Sequence, residues 1–146
     1  MQKARQEKAW LDVDTHPHDR KKVLAAVTVF GDALQIAAEE LQSDHEVVLA
    51  AVSNCGCALF CAAPRLRSDH EIALKAVSHS GVALMWVAEE LRNKHEIVLA
   101  AVRTSGLSLM YASVELRSNP EIVAAAVTND GRALASASPE LRGNYE

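Results

Sequence analysis

Glycine recurs every 25 residues: Gly31, Gly56, Gly81, Gly106 and Gly131 hold this spacing without a slip. Leu41, Leu66, Leu91, Leu116 and Leu141 keep the same register, as do Leu34, Leu59, Leu84, Leu109 and Leu134. So do Val27, Val52, Val77, Val102 and Val127. Self-similarity at such a period leaves few options. Each unit is one supersecondary element that cannot bury its apolar face alone, so units must stack. The units run 19–43, 44–68, 69–93, 94–118 and 119–143, preceded by a polar segment 1–18 and followed by Asn144-Tyr145-Glu146, which matches the opening of a sixth, with Glu146 aligned on Glu121.

Each unit reads as two short helices. Ser43-Asp44-His45-Glu46 and Ser68-Asp69-His70-Glu71 fit a Ser-x-x-Glu capping box, whereas Asn119-Pro120 puts the cap one residue later, with proline at the first helical position. Both registers stay open. Val47, Val48, Ala51 and Val52 then form one face at helical spacing, leaving Glu46, Ala50, Ser53 and Asn54 outward. Gly56 and its equivalents are expected to end this helix in a left-handed conformation. Leu59, Ala62, Ala63 and Leu66 follow the i, i+3, i+4, i+7 pattern of a second helix, with Arg67, Arg92, Arg117 and Arg142 at its C-terminal, electronegative end. Apolar spacing of three and four excludes a strand, and the strand signature of leucine-rich repeats is missing. Alanines at 26, 37, 51, 62, 101 and 112 let neighbouring helices approach closely. The expected architecture is an all-α, right-handed α-solenoid of five two-helix repeats. Residues 1–18, with Trp10, Leu11 and Val13 among charges, supply an N-terminal cap on the first unit.

Within this frame the residues resemble a known family. Val47-Val48-Leu49-Ala50-Ala51-Val52, Gly56, Ala58-Leu59, Ala62, Leu66-Arg67 and Asp69 are similar to the domain of unknown function 4116 repeat. Unit four, with Ile97-Val98-Leu99-Ala100-Ala101-Val102 and Tyr111-Ala112-Ser113, is closer still. The resemblance covers 19–143 and implies tandem helical repeats with no established enzymatic activity. It also implies arginine where this chain has His45, His70 and His95, and tyrosine at the position of Trp86 and Tyr111. Lys21 and Lys22 replace the usual Glu and aliphatic pair in unit one, which calls its first helical turn into question.

No chemistry-bearing constellation stands out. Cys55, Cys57 and Cys61 fall on variable repeat positions and lack the four-ligand, paired spacing of zinc or iron–sulfur sites. An odd, clustered set of thiols is not a disulfide framework and suggests a reducing compartment. Successive histidines of the His45, His70, His95 series lie one helix layer apart, too far to share a metal. No glycine-rich phosphate loop is present, because the glycines stand 25 residues apart. The expectation is no catalytic residue, no metal and no cofactor. A net charge of −4, with arginines interleaved with Glu40, Glu90, Glu115 and Glu140, argues against nucleic acid. Val29, Asn54, His79, Thr104 and Asn129 would be the base-reading positions if it were bound. No apolar run, Val47 to Val52 and Val82 to Ala88 included, comes near the length needed to span a bilayer, and no secretory leader is expected.

What remains is interaction. On a second α-helix, Ile36, Cys61, Trp86, Tyr111 and Ser136 point about 200° from the core leucine, flanked at about 100° by Gln35, Phe60, Met85, Met110 and Ala135. Phe60, Met85, Trp86, Met110 and Tyr111 form the expected contact stripe for a protein partner. The expected function is a non-catalytic helical-repeat scaffold, a peripheral structural subunit of a larger assembly; the resemblance, to a family found in algae among other unicellular eukaryotes, implies a photosynthetic assembly if the source is an alga. The alternative is a nucleic-acid-binding helical repeat. Leu134, Ala137 and Leu141 belong to a last unit whose far face calls for a partner or further repeats.

Overall fold

The computed structural model describes residues 1–145, and all their regular structure is helical. Helix α1 (Gln2–Thr15) precedes unit one, which consists of α2 (Arg20–Val29), a 3-10 segment Gly31–Ile36 and a short turn α3 (Glu39–Gln42). Unit two repeats this as α4 (His45–Asn54), Gly56–Cys61 and α5 (Pro64–Arg67). Unit three has α6 (His70–His79), Gly81–Trp86 and a 3-10 turn Glu89–Leu91. Units four and five follow as α7 (His95–Thr104), Gly106–Tyr111 and α8 (Val114–Arg117), then α9 (Pro120–Asn129), Gly131–Ser136 and α10 (Pro139–Tyr145). The long helices pack in chain order, α1 on α2, α2 on α4, α4 on α6, α6 on α7 and α7 on α9, and the 3-10 segments form a parallel second row. The core lies between the rows, where Val47, Val48, Val52, Leu59, Ile72 and Leu84 are fully buried. At the N-terminal end α1 covers α2 with Ala9 and Val13, while Trp10 rests its ring against Phe30 and Leu11 stays exposed.

The second half of each unit is not one α-helix. A 3-10 segment ends at an extended dipeptide (Ala62 φ −71°, ψ 146°; Ala63 φ −56°, ψ 147°) before the short turn begins. The dipeptide's second N–H is thereby free to bond across the layer boundary. Ala38 donates to Pro17 O, Ala63 to Gln42 O and Ala88 to Arg67 O at 3.0 Å, and Ser113 donates to Arg92 O at 3.1 Å. Breaking the helix satisfies main-chain groups between units that a continuous helix would have spent within one. Arg67 turns back onto the same corner, donating from Nε to Ala62 O at 2.9 Å and from Nη2 to Phe60 O at 2.7 Å.

The helix caps sit one residue later than the capping box requires. Asp44 accepts from Val47 N, and Asp69 from Ile72 N, both at 3.0 Å; Asn119 and Asp19 cap α9 and α2 in the same way. The Asp19 cap also completes the first turn of α2 despite Lys21 and Lys22. Asp69→Ala is expected to cost about 1 kcal/mol of stability, Asp69→Asn very little, and Ser43→Ala less than about 0.5 kcal/mol. Urea denaturation of the three variants checks the order; an equal loss in Ser43→Ala would restore the capping box.

The glycines do not end helices in a left-handed conformation: among the described residues no glycine has positive φ. The long helix stops two residues earlier, at Asn54 in unit two, and Gly56 opens the 3-10 segment. Gly31 is required by proximity, since a Cβ there would lie 2.5 Å from Ala51 O on the next unit's helix. Gly56, Gly81 and Gly106 meet Ala76 O, Ala101 O and Ala126 O more tightly still.

A ladder of side-chain contacts to carboxylates links the first turns. Arg20 reaches Asp44 (2.9 Å) and Glu46, His70 Nε2 lies 3.3 Å from Glu96, and His95 Nε2 3.1 Å from Glu121. The Arg20 side-chain hydrogen bond, opposed by partial burial, holds the Asp44 carboxyl below the ordinary carboxylate range.

Candidate partner-binding face

The 3-10 geometry decides how the contact stripe is presented. At three residues per turn, successive side chains step by about 120° rather than 100°, and i and i+3 eclipse. Leu59 and Ala62 are accordingly buried together, while Phe60 projects outward. The row expected to point furthest from the core is therefore not the most exposed. Trp86, Tyr111, Cys61 and Ile36 are half-buried against the core. The flanking row carries the exposure: Phe60 is 54%, Met85 43% and Met110 56% accessible. Phe60 and Trp86 meet across the boundary of units two and three, ring centroids 5.7 Å apart at 59°. Such a tilted pair stabilises adjacent units by roughly 0.5–1.5 kcal/mol beyond its area.

Grooves run beside this row at the unit boundaries. One of about 500 Å³ lies between Gln35, Glu39 and Gln42 of unit one and Phe60 to Pro64 of unit two. Its counterpart two boundaries on is bordered by Glu89, Arg92, Tyr111 and Val114. Val114, 68% exposed, extends the apolar surface and was missed by the sequence reading. Its signal is a column that otherwise holds Glu39, Pro64, Glu89 and Pro139.

The other candidate positions have structural occupations. Asn54 accepts from Gly31 N at 2.7 Å and donates to Thr28 O and Val29 O, so it closes the end of α2 from the next unit. Asn129 does the same for Gly106 N (2.6 Å) and Arg103 O, His79 Nδ1 accepts from Gly56 N at 3.2 Å, and Thr104 donates to Val77 O at 2.9 Å. Four of the five positions that would read bases thus hold neighbouring units together, Val29 being the exception. Burial, reinforced by Asp32, pushes the Cys55 thiol up, and burial likewise raises Cys61, which disfavours the thiolate needed for metal binding or nucleophilic attack. Among the described residues no helix is long and apolar enough to cross a membrane.

A family model described as Domain of unknown function (DUF4116) matches the chain three times, over residues 19–67, 46–92 and 94–142. Each match spans nearly two of the 25-residue units. Neither a curated protein nor a solved structure matches.

Proposed function

Since the chain belongs to the DUF4116 family, whose matches take in almost the whole repeat region, we propose that it is a non-catalytic scaffold that docks on a larger assembly through the Phe60–Met85–Met110 row. The supporting observation is that this row stays exposed in three consecutive units, beside half-buried Trp86 and Tyr111. Large apolar side chains repeated on an accessible face favour partner contact, because methionine and aromatic residues are enriched at interface centres. Stacked repeats present such a row as one extended surface. The nucleic-acid alternative loses support from the inter-unit bonds of Asn54, His79, Thr104 and Asn129.

Met85→Ala combined with Met110→Ala tests the reading, since both side chains are exposed and their loss leaves the core intact. The protein retained from native lysate by the wild-type chain, identified by mass spectrometry, is expected to bind the double variant at least about tenfold more weakly. The melting temperature is expected to stay unchanged. Wild-type binding by the variant would remove this face from consideration. Binding of labelled RNA that collapses with salt would favour the nucleic-acid reading instead.

A further inference from the structure

The ladder of first-turn contacts has one rung unlike the others. His45, at the start of α4, places Nε2 3.6 Å from Asp69 Oδ2 and 3.7 Å from Glu71 Oε2, both on the first turn of the next unit. The three donor atoms all lie within 4.8 Å of one another. His70 and His95 approach a single glutamate more closely, at 3.3 and 3.1 Å. His45 is nearly equidistant from two carboxylates, beyond the roughly 2.7–2.9 Å of a charge-assisted hydrogen bond. It is instead close to the roughly 3.4 Å edge of a tetrahedron with bonds of about 2.1 Å.

The geometry points to a divalent transition-metal site of the zinc type, built from His45 Nε2, Asp69 Oδ2 and Glu71 Oε2 across the boundary of units two and three. One imidazole and two carboxylates form a donor set that zinc accepts, with water completing the coordination at this accessible position. Asp69 is oriented from behind: its Oδ1 accepts from Ile72 N at 3.0 Å as the cap of α6, and its Oδ2 faces His45. A ligand held by such a bond loses little freedom on binding. The neighbouring rungs lack the set. Arg20 fills the histidine position beside Asp44 and Glu46, Lys94 replaces the aspartate beside His70 and Glu96, and Asn119 replaces it beside His95 and Glu121. The bound ion would join two units that otherwise meet through packing and single hydrogen bonds.

Zinc alone, titrated calorimetrically into the full chain in a non-chelating buffer, tests the site. One equivalent is expected to bind and to raise the melting temperature, as any ligand of the folded state must. Asp69→Asn retains a capping side chain, as Asn119 does naturally in α9, and is expected to weaken zinc at least about tenfold without loss of helicity. His70→Gln is expected to leave the affinity unchanged. Lys94→Asp, which completes an equivalent triad with His70 and Glu96, is expected to add a second equivalent. No saturable binding overturns the proposal, as does undiminished affinity in Asp69→Asn or a stoichiometry unchanged by Lys94→Asp. Zinc binding abolished by replacing Cys55, Cys57 and Cys61 with serine would overturn it too, by moving the metal to the thiols.

Discussion

Gly56→Ala and Gly81→Ala are each expected to destabilise the chain by about 3 kcal/mol, while Gly131→Ala leaves it unchanged or up to about 1 kcal/mol more stable. The three substitutions are chemically identical and stand at the same repeat position. They differ in what the added methyl meets. At Gly56 and Gly81 it runs into the main-chain carbonyls of Ala76 and Ala101, well inside any normal contact distance, and a carbonyl within a helix cannot rotate aside. Relief requires the next unit to slide or tilt, which disturbs every contact along that boundary. At Gly131 an added Cβ meets nothing within 4 Å among the described residues, and the backbone is not in the left-handed region. There alanine only restricts the unfolded chain, a stabilising effect. Urea denaturation followed by circular dichroism reads all three. Equal losses at all three positions would mean that conformation, not proximity, selects glycine.

That comparison also shows why the period was legible while its cause was not. Glycine is demanded both by left-handed backbone and by close approach, and one sequence does not separate the two. The second half of each unit was misread for a related reason. Leu59, Ala62, Ala63 and Leu66 satisfy helical spacing, but a 3-10 turn followed by an extended break places the same leucines on one side, because i and i+3 eclipse. The candidate contact residues follow from repeat position, whereas their relative exposure depends on the step angle, so Phe60 and Met110 are more exposed than Trp86. The ladder lay outside any local pattern. His45 and Glu71 are 26 residues apart, and comparing histidine with histidine down the repeat passes over the acids that face them. The caps were within reach, since Asp44 and Asp69 are as competent as Ser43 and Ser68; only the hydrogen bonds to Val47 N and Ile72 N choose between them.

Leu84→Ala is expected to cost about 3 kcal/mol, within the roughly 2–5 kcal/mol of a buried leucine truncation, and Leu134→Ala less than half as much. Leu84 is fully buried in the 3-10 row of unit three, with a 3-10 segment packed on either side and α6 and α7 across the core. A cavity there is walled by two unit boundaries that themselves depend on close main-chain approach at Gly56 and Gly81, so little collapse is available to fill it. Leu134, the equivalent residue of unit five, is only half-buried, with a 3-10 neighbour on the side of unit four. The consequence extends beyond the size of the loss. In a stack whose units are stabilised mainly by their neighbours, weakening the middle uncouples the two ends, whereas weakening an end leaves the rest cooperative. Leu84→Ala is therefore expected to lower the urea m-value as well as the midpoint, and Leu134→Ala to shift the midpoint alone. Hydrogen exchange adds a second readout: α9 amides are expected to exchange faster than α6 amides in the wild type, and α6 to lose that advantage in Leu84→Ala. Equal stability losses with unchanged m-values in both variants would show that the chain folds as one cooperative block, with no energetic distinction between its centre and its end.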